Sequence, residues 1–325
     1  MINLETVYLS LQLKNPVVIS SSGLTNSVEK IKKLEDNGAG AVVLKSLFEE
    51  QINYEAGKLM VSSNYPEASD YITMYTKENA VNEYLKLIKD AKRAVSIPVI
   101  ASINCISTDE WIDFASKIEQ AGADALELNV FILPTNKNAV SGEYENVYFD
   151  LAGKIKKIVD IPVAMKLGNT FTNLPALVNR LHATGINGVV LFNRFYEPDI
   201  DIKSMKIISS EIFSTPADIR KSLRWIGIIY DKIPKIDLAA STGIHNGEAI
   251  IKQLLAGAKV TQICSSIYKN GPEHIKLLLK EIEDWMNNNN YNNIGQFRGK
   301  LSYKSIKDPV LYERAQFMKY FSSIQ

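Results

Sequence analysis

The chain has 325 residues, 46% hydrophobic and 22% charged, the composition of an ordinary globular protein. Its 37 Lys and Arg against 36 Asp and Glu leave a net charge of +1, which removes the electrostatic ground for a nucleic-acid or membrane-surface partner. The two cysteines, Cys105 and Cys264, make neither a disulfide framework nor a metal spacing, and no apolar run approaches the roughly 18 residues of a membrane span.

The opening residues MINLETVYLSLQLKNP have no basic region followed by an apolar run, so no signal peptide is expected and the chain is assigned to the cytoplasm. Leu4–Leu13 alternates apolar and polar residues and predicts a small hairpin within segment 1–14, closing the foot of the fold. PVVIS (Pro16–Ser20) reads as a first buried strand. A phrase then recurs four times: NGAGAVVLKS at Asn37–Ser46, AGADALELNV at Ala121–Val130, TGINGVVLFN at Thr184–Asn193 and AGAKVTQICS at Ala256–Ser265. Each offers a Gly able to end a helix in the left-handed conformation, then an apolar run suited to a strand buried on both faces. Ile-Pro-Val starts two more runs, Ile97–Ile103 and Ile161–Leu167, where Pro is tolerated as a first strand residue. IDLAAS (Ile236–Ser241) completes eight.

Helical patterns fall between them at Ser27–Asn37, Glu78–Val95, Asp109–Gln120, Tyr148–Val159, Asn173–Ala183, Thr215–Tyr230, Gly247–Leu255 and Pro272–Met286. Eight strands alternating with eight helices predict an α/β fold with parallel strands, closed as a (β/α)8 barrel in one domain spanning 1–325. An open doubly wound sheet is the alternative, weakened by the lack of GxGxxG after the first strand. Phe48–Lys77 is a long polar and aromatic loop insertion after the second strand, with Tyr65, Tyr71 and Tyr75 as candidate lid residues. NNNNYNN (Asn287–Asn293) predicts a solvated connector at the start of a C-terminal extension, 287–325.

An α/β barrel places its active site at the carboxyl ends of its strands. The residues there are Ser20-Ser21-Ser22-Gly23, Lys45-Ser46, Ser102-Ile103-Asn104, Asn129, Lys166, Asn193-Arg194, Ser241-Thr242-Gly243 and Cys264-Ser265-Ser266. Two lysines inside the ring mark a site, because an unpaired buried ammonium is expensive. Thr242-Gly243 and Ser265-Ser266, after strands seven and eight, sit where backbone N–H groups bind phosphate in this architecture, although small residues also make tight turns. Lysine beside amide and hydroxyl donors suits a ring that gains negative charge on reduction. It equally suits a Schiff-base lyase, and the residues alone leave both readings open. His182, His245 and His274 lack partners at metal spacing, so no metal is expected, and Trp111, Trp225 and Trp285 read as packing residues.

The stretch STGIHNGEAIIKQLLAGAKVTQICSSIYKNGP, with NPVVISSSG at the first strand, LKS at the second, ELN at the fourth and AMKL at the fifth, resembles the dihydroorotate dehydrogenase family, especially its class 1 members. The resemblance is collinear over about Asn15–Leu301. It implies a TIM barrel that binds FMN and moves hydride from a CH–CH substrate, in pyrimidine biosynthesis. By motif, Ser21, Ser22 and Gly23 would line the flavin, Lys45 and Ser46 would lie against it, and Lys166 would approach the ring where charge develops. Asn129 and Asn193 match flavin- and substrate-facing asparagines, and Thr242, Gly243, Ser265 and Ser266 would hold the phosphate. Lys45, Lys166 and Asn129 are the candidate catalytic residues.

Three departures stand out. The family's catalytic Cys or Ser falls at Ile132 or Leu133 in NVFILPT (Asn129–Thr135), and an aliphatic side chain cannot take a proton. Thr135, Ser62, Ser63 and Tyr65 are substitutes among which spacing does not choose, and Cys105 reads more simply as a small buried residue. The substrate loop becomes VSSNYPE (Val61–Glu67), and the usual Gly-Gly of the phosphate loop becomes Thr242-Gly243. The expected substrate is dihydroorotate or a related planar compound. The resemblance also implies a homodimer, or an electron-transfer partner chain bearing an iron–sulfur centre. The reading from another class is a flavinless barrel for a phosphate ligand, either a Schiff-base lyase or a non-catalytic binding protein.

Overall fold

A computed structural model describes residues 2–48, 52, 54, 69–104 and 110–314, with the side chains of 69–74 and 110–112 excepted. Val61–Glu67, Cys105 and the side chains of Tyr71 and Trp111 therefore lie outside the described residues.

The eight expected strands are β3 (Val17–Ile19), β4 (Ala41–Val43), β6 (Val99–Asn104), β7 (Ala125–Asn129), β8 (Val163–Leu167), β9 (Gly188–Leu191), β12 (Asp237–Ser241) and β13 (Val260–Ile263). They pair in parallel in the order β4, β3, β13, β12, β9, β8, β7, β6, and β4 pairs with β6 to close the barrel. All but the rim residue of β6 are buried, which is why each reads as a continuous apolar run. The glycines of the recurring phrase, Gly38, Gly122, Gly185 and Gly257, take φ of 103°, 94°, 97° and 124°, the conformation that ends the preceding helices.

The helices are α1 (Val28–Asp36), α2 (Ser69–Ala94), α3 (Glu110–Gln120), α4 (Glu143–Ile155), α5 (Leu174–Ala183), α6 (Ile219–Lys232), α7 (Gly247–Ala256), α8 (Ser265–Asn270), α9 (His274–Asn288) and α10 (Val310–Glu313). Several differ from expectation. The insertion after strand two is not all loop: β5 (Leu47–Phe48) pairs with the end of β6, and α2 begins at Ser69. Helix α4 starts five residues before Tyr148, and a short helix, α8, follows β13 where no helix is expected. An antiparallel hairpin, β10 (Pro198–Asp201) with β11 (Lys206–Ser209), follows β9 and is exposed along nearly its whole length. The asparagine-rich connector is also more than solvated chain. Asn3 bridges Asn293, and Phe297 is fully buried against Trp285 and Tyr291.

The N-terminal hairpin forms as expected from β1 (Thr6–Tyr8) and β2 (Leu11–Leu13). Leu9 and Ser10 take φ of 52° and 60°, the backbone of a tight two-residue turn. The Leu9 N–H donates to Asp237 Oδ2 at 2.7 Å. Tyr8, Leu9 and Leu13 then pack on the inward residues Val18, Ala41, Val43, Ile100, Ala125, Ala164, Val190, Ala239 and Val260. The barrel floor is thereby filled with apolar side chains, and the polar inward residues lie toward the opposite end.

Candidate active site

Inward positions alternate along a strand, so Glu127 and Asn129 of β7 share a face, and Lys166 and Gln262 join them from β8 and β13. Lys166 and Glu127 are 6% and 1% exposed, with Lys166 Nζ 3.8 Å from Glu127 Oε1. The ammonium donates to Ser20 Oγ at 2.9 Å and to Gln262 Oε1 at 3.1 Å, while Gln262 Nε2 donates to Glu127 Oε2. The buried ammonium is thus paired and hydrogen-bonded, which offsets the cost of burying it. Glu127 and Gln262 were missed, although their parity with Asn129 and the strand end was a usable signal.

Three hydroxyls link the ends of β3, β4 and β6. Ser21 Oγ lies 2.9 Å from Ser46 Oγ, which lies 2.7 Å from Ser102 Oγ. The Ser46 N–H also donates to Ser21 Oγ at 2.8 Å. Ser21 lines a cavity of about 200 Å³ whose wall also holds Lys166, Asn193, Thr242, Gly243, Cys264 and Ser265. Lys45 and Ser46 line a separate cavity of about 280 Å³ beside Asn26, Glu83 and Tyr84. The structure thus divides the expected residues between two neighbouring hollows joined by the Ser21–Ser46 bond. Ser22 lines neither cavity itself; its side chain caps the 3-10 turn Gly23–Thr25, accepting from Leu24 N–H, and bonds Cys264 on the wall of the first. A Cβ added at Gly23 would lie 2.7 Å from the Tyr268 hydroxyl, the far end of a partly exposed side chain.

The far end of the first cavity is the expected phosphate region. Thr242 and Gly243 both take positive φ, 75° and 81°. For a β-branched residue that is an outlier, of the kind found where a loop is shaped for a ligand. A Cβ on Gly243 would stand 2.2 Å from the Ile219 backbone nitrogen. Ser266 Oγ is buried without a hydrogen-bond partner, and Ser265 and Ser266 open α8. Cys264 lines the same wall; burial pushes its thiol up, partly offset by a hydrogen bond with Ser22 and the charge of Lys166.

A segment absent from the sequence reading, Glu211–Ser214, forms the outer wall. Ser214 N–H donates to Ser265 Oγ at 3.0 Å, its hydroxyl meets His245 Nε2 at 3.1 Å, and its carbonyl accepts from Lys269 Nζ at 3.4 Å. Arg194 donates to the carbonyls of Glu211 and Ile212 and pairs with Asp218. His245 is half-buried against this segment. Burial and the nearby Lys269 lower its pKa from 6.5.

Asn193 Nδ2 donates to Asn129 Oδ1 at 2.7 Å across the mouth. Beside them the rings of Phe131 and Phe195 lie 4.2 Å apart, over Gly168. Where the resemblance places a base, Ile132 is half-buried against the core and Leu133 is 61% exposed. Thr135 is exposed. Among the described residues no cluster of three or more His, Cys, Asp or Glu could hold a metal, and no helix is long and apolar enough to cross a membrane.

The donor set fits a flavin mononucleotide. The positive-φ Thr242-Gly243 loop, with Ser265 beside it on the cavity wall, suits the phosphate, and the Lys166 ammonium and paired asparagines suit the polar edge of the ring.

The sequence profile of the dihydroorotate dehydrogenase family matches residues 3–286. The chain belongs to this family. It is 28% identical over 296 residues to the dihydroorotate dehydrogenase B (NAD(+)) catalytic subunit of Methanocaldococcus jannaschii, covering 88% of this chain and 94% of that one. The protein of the same name from Brachyspira hyodysenteriae is 28% identical over 310 residues, covering 92% and 99%. The chloroplastic dihydropyrimidine dehydrogenase (NADP(+)) of Arabidopsis thaliana is 24% identical over 328 residues, covering 91% and 76%.

Proposed function

We propose that the chain is a cytoplasmic FMN-dependent oxidoreductase that takes hydride from a CH–CH bond of a planar substrate, dihydroorotate or a related compound. One observation carries the reading: a buried ammonium, Lys166, lines a cavity whose wall also holds Thr242, Gly243 and Ser265, the loops after the last two strands. FMN, when bound, supplies the hydride acceptor. Lys166 provides fixed positive charge toward the ring, and Asn129 and Asn193 orient it and the substrate. Thr242, Gly243, Ser265 and Ser266 hold the phosphate, and Ser21 lies along the flavin side. Lys45 and Ser46, which line the adjoining cavity, would lie against the flavin from there.

The residue at the base position sets this chain apart. Ile132 and Leu133 accept no proton, and losing a general base costs about 10²–10⁴-fold in rate. Dihydroorotate oxidation is accordingly expected to be slow, and a compound whose proton is lost without a protein base to be faster. The Lys166 ammonium is bound to Ser20 and Gln262 beside Glu127, an arrangement for a fixed cation rather than a Schiff-base nucleophile.

The relatives named as catalytic subunits motivate a partner chain that receives the electrons. A second copy is expected to cover the exposed apolar hairpin side chains Ile200, Ile202, Met205 and Ile207. The reading is tested by adding FMN to the purified chain, removing excess, and measuring bound flavin by absorbance. One FMN per chain supports it, whereas no uptake, or a borohydride-trapped lysine adduct with a phosphorylated aldehyde, would overturn it.

A further inference from the structure

Glu127 is the buried charge that the chemistry above leaves unused. Its Oε2 accepts from Gln262 Nε2, while its Oε1 is buried with no hydrogen-bond partner, 3.8 Å from Lys166 Nζ. A carboxylate is acceptor-only, so it obliges Gln262 to present its NH2 to Glu127 and its carbonyl oxygen to Lys166 and Ser20. Glu127 thus fixes the amide, and the amide fixes the ammonium.

Stability gives no reason for the arrangement. A buried ion pair seldom outperforms apolar packing, and an orphaned buried acceptor is a cost. The cation at the floor beneath, Lys259, is paired with Asp237. Tyr8 reaches up from the hairpin with a buried, unpartnered hydroxyl, and the negative charges of Glu127 and Asp237 add to burial in raising its pKa. Lys166 is the ion-pair partner of Glu127 among the described residues.

We infer that Glu127 is a positioning residue that sets the reduction potential of the bound flavin through Gln262 and Lys166. The inference rests on the FMN reading. Lys166 favours the extra negative charge of the reduced ring. Glu127, behind it, offsets part of that charge and holds the ammonium back against Ser20 and Gln262. Removing the carboxylate charge while keeping its shape leaves the cation uncompensated and free to advance on the ring.

The test is the two-electron potential of FMN-loaded wild type, Glu127→Gln, Lys166→Met and the double variant, by equilibration with reference dyes. Glu127→Gln is expected to raise the reduced-to-oxidised ratio about tenfold at fixed potential, roughly 30 mV for this couple. In the Lys166→Met background the same change is expected to have no effect. An unchanged potential in Glu127→Gln overturns the inference, as does an equal shift with and without Lys166, which would mean Glu127 acts on the ring directly. Should Glu127→Gln not fold, Glu127→Asp withdraws the charge from Lys166, and a smaller upward shift is expected; no shift overturns the inference. A wild type that takes up no FMN contradicts the functional reading and this inference together, whereas a loaded wild type with a silent Glu127 contradicts this inference alone.

Discussion

Asn193 donates its side-chain amide to Asn129 at 2.7 Å, joining the ends of β7 and β9 across β8. The bond uses the Asn129 carbonyl oxygen and leaves its NH2 to donate elsewhere, so the pair acts as one oriented donor. Asn193→Ala is expected to retain flavin but lower turnover by about 10²-fold, the loss typical of one oriented donor at a reacting centre. Bound-flavin absorbance and kcat, measured on the same sample with whichever CH–CH donor reduces the wild type, separate the two effects.

Gly243 and Gly23 are expected to respond differently to a methyl group. At Gly243 the added Cβ meets backbone, Ile219 N at 2.2 Å, and the φ of 81° disfavours any side chain. Gly243→Ala is therefore expected to abolish FMN retention and destabilise by about 3 kcal/mol, the upper end for single substitutions. At Gly23 the obstacle is the hydroxyl of Tyr268, which is 44% exposed and free to swing out. Gly23→Ala is expected to keep the fold, as thermal melts of both variants will register.

Tyr8→Phe is expected to stabilise the protein. The Tyr8 hydroxyl is buried without a partner, in the field of two carboxylates. An unsatisfied buried polar group costs about 1–3 kcal/mol, so removing it raises Tm by a few degrees. A fall in Tm would mean the hydroxyl is satisfied after all.

The Glu211–Ser214 wall is expected to loosen in acid. Burial and Lys269 lower the His245 pKa from 6.5, with His274 adding to the effect and a hydrogen bond to the Ser214 backbone and the charge of Asp218 opposing it. The folded state thus favours the neutral ring, and the stability linked to it is present above pH 6.5 and declines as pH falls below that value. Hydrogen exchange at the Ser214 amide, which donates to Ser265 Oγ, is expected to lose protection more between pH 7 and 5 in the wild type than in His245→Gln.

The strands were legible because a chain segment buried on both faces must be apolar throughout, as Val163–Leu167 is except for Lys166. Helix starts were legible where a side chain marks them: Ser27, Asn173 and Asn246 each accept from a first-turn amide. Helix α4 begins after Gly142, which has no side chain to cap it, and its start was accordingly misplaced. The β10–β11 hairpin was invisible because neither strand buries a face, leaving no alternation to read. The strand-end serines, Lys166 and the asparagines were readable by position. The Ser214 wall was not, since its partners His245, Ser265 and Lys269 lie 31 to 55 residues away.

The most direct test of the account is anaerobic mixing of the FMN-loaded chain with dihydroorotate, followed by flavin absorbance. The account predicts a yellow protein that bleaches promptly with a chemical reductant but only slowly with dihydroorotate, as a site with Ile132 in place of a base requires. Prompt bleaching by dihydroorotate would mean that a residue other than Ile132 or Leu133 takes the proton, and a colourless chain that takes up no FMN would contradict the oxidoreductase assignment itself.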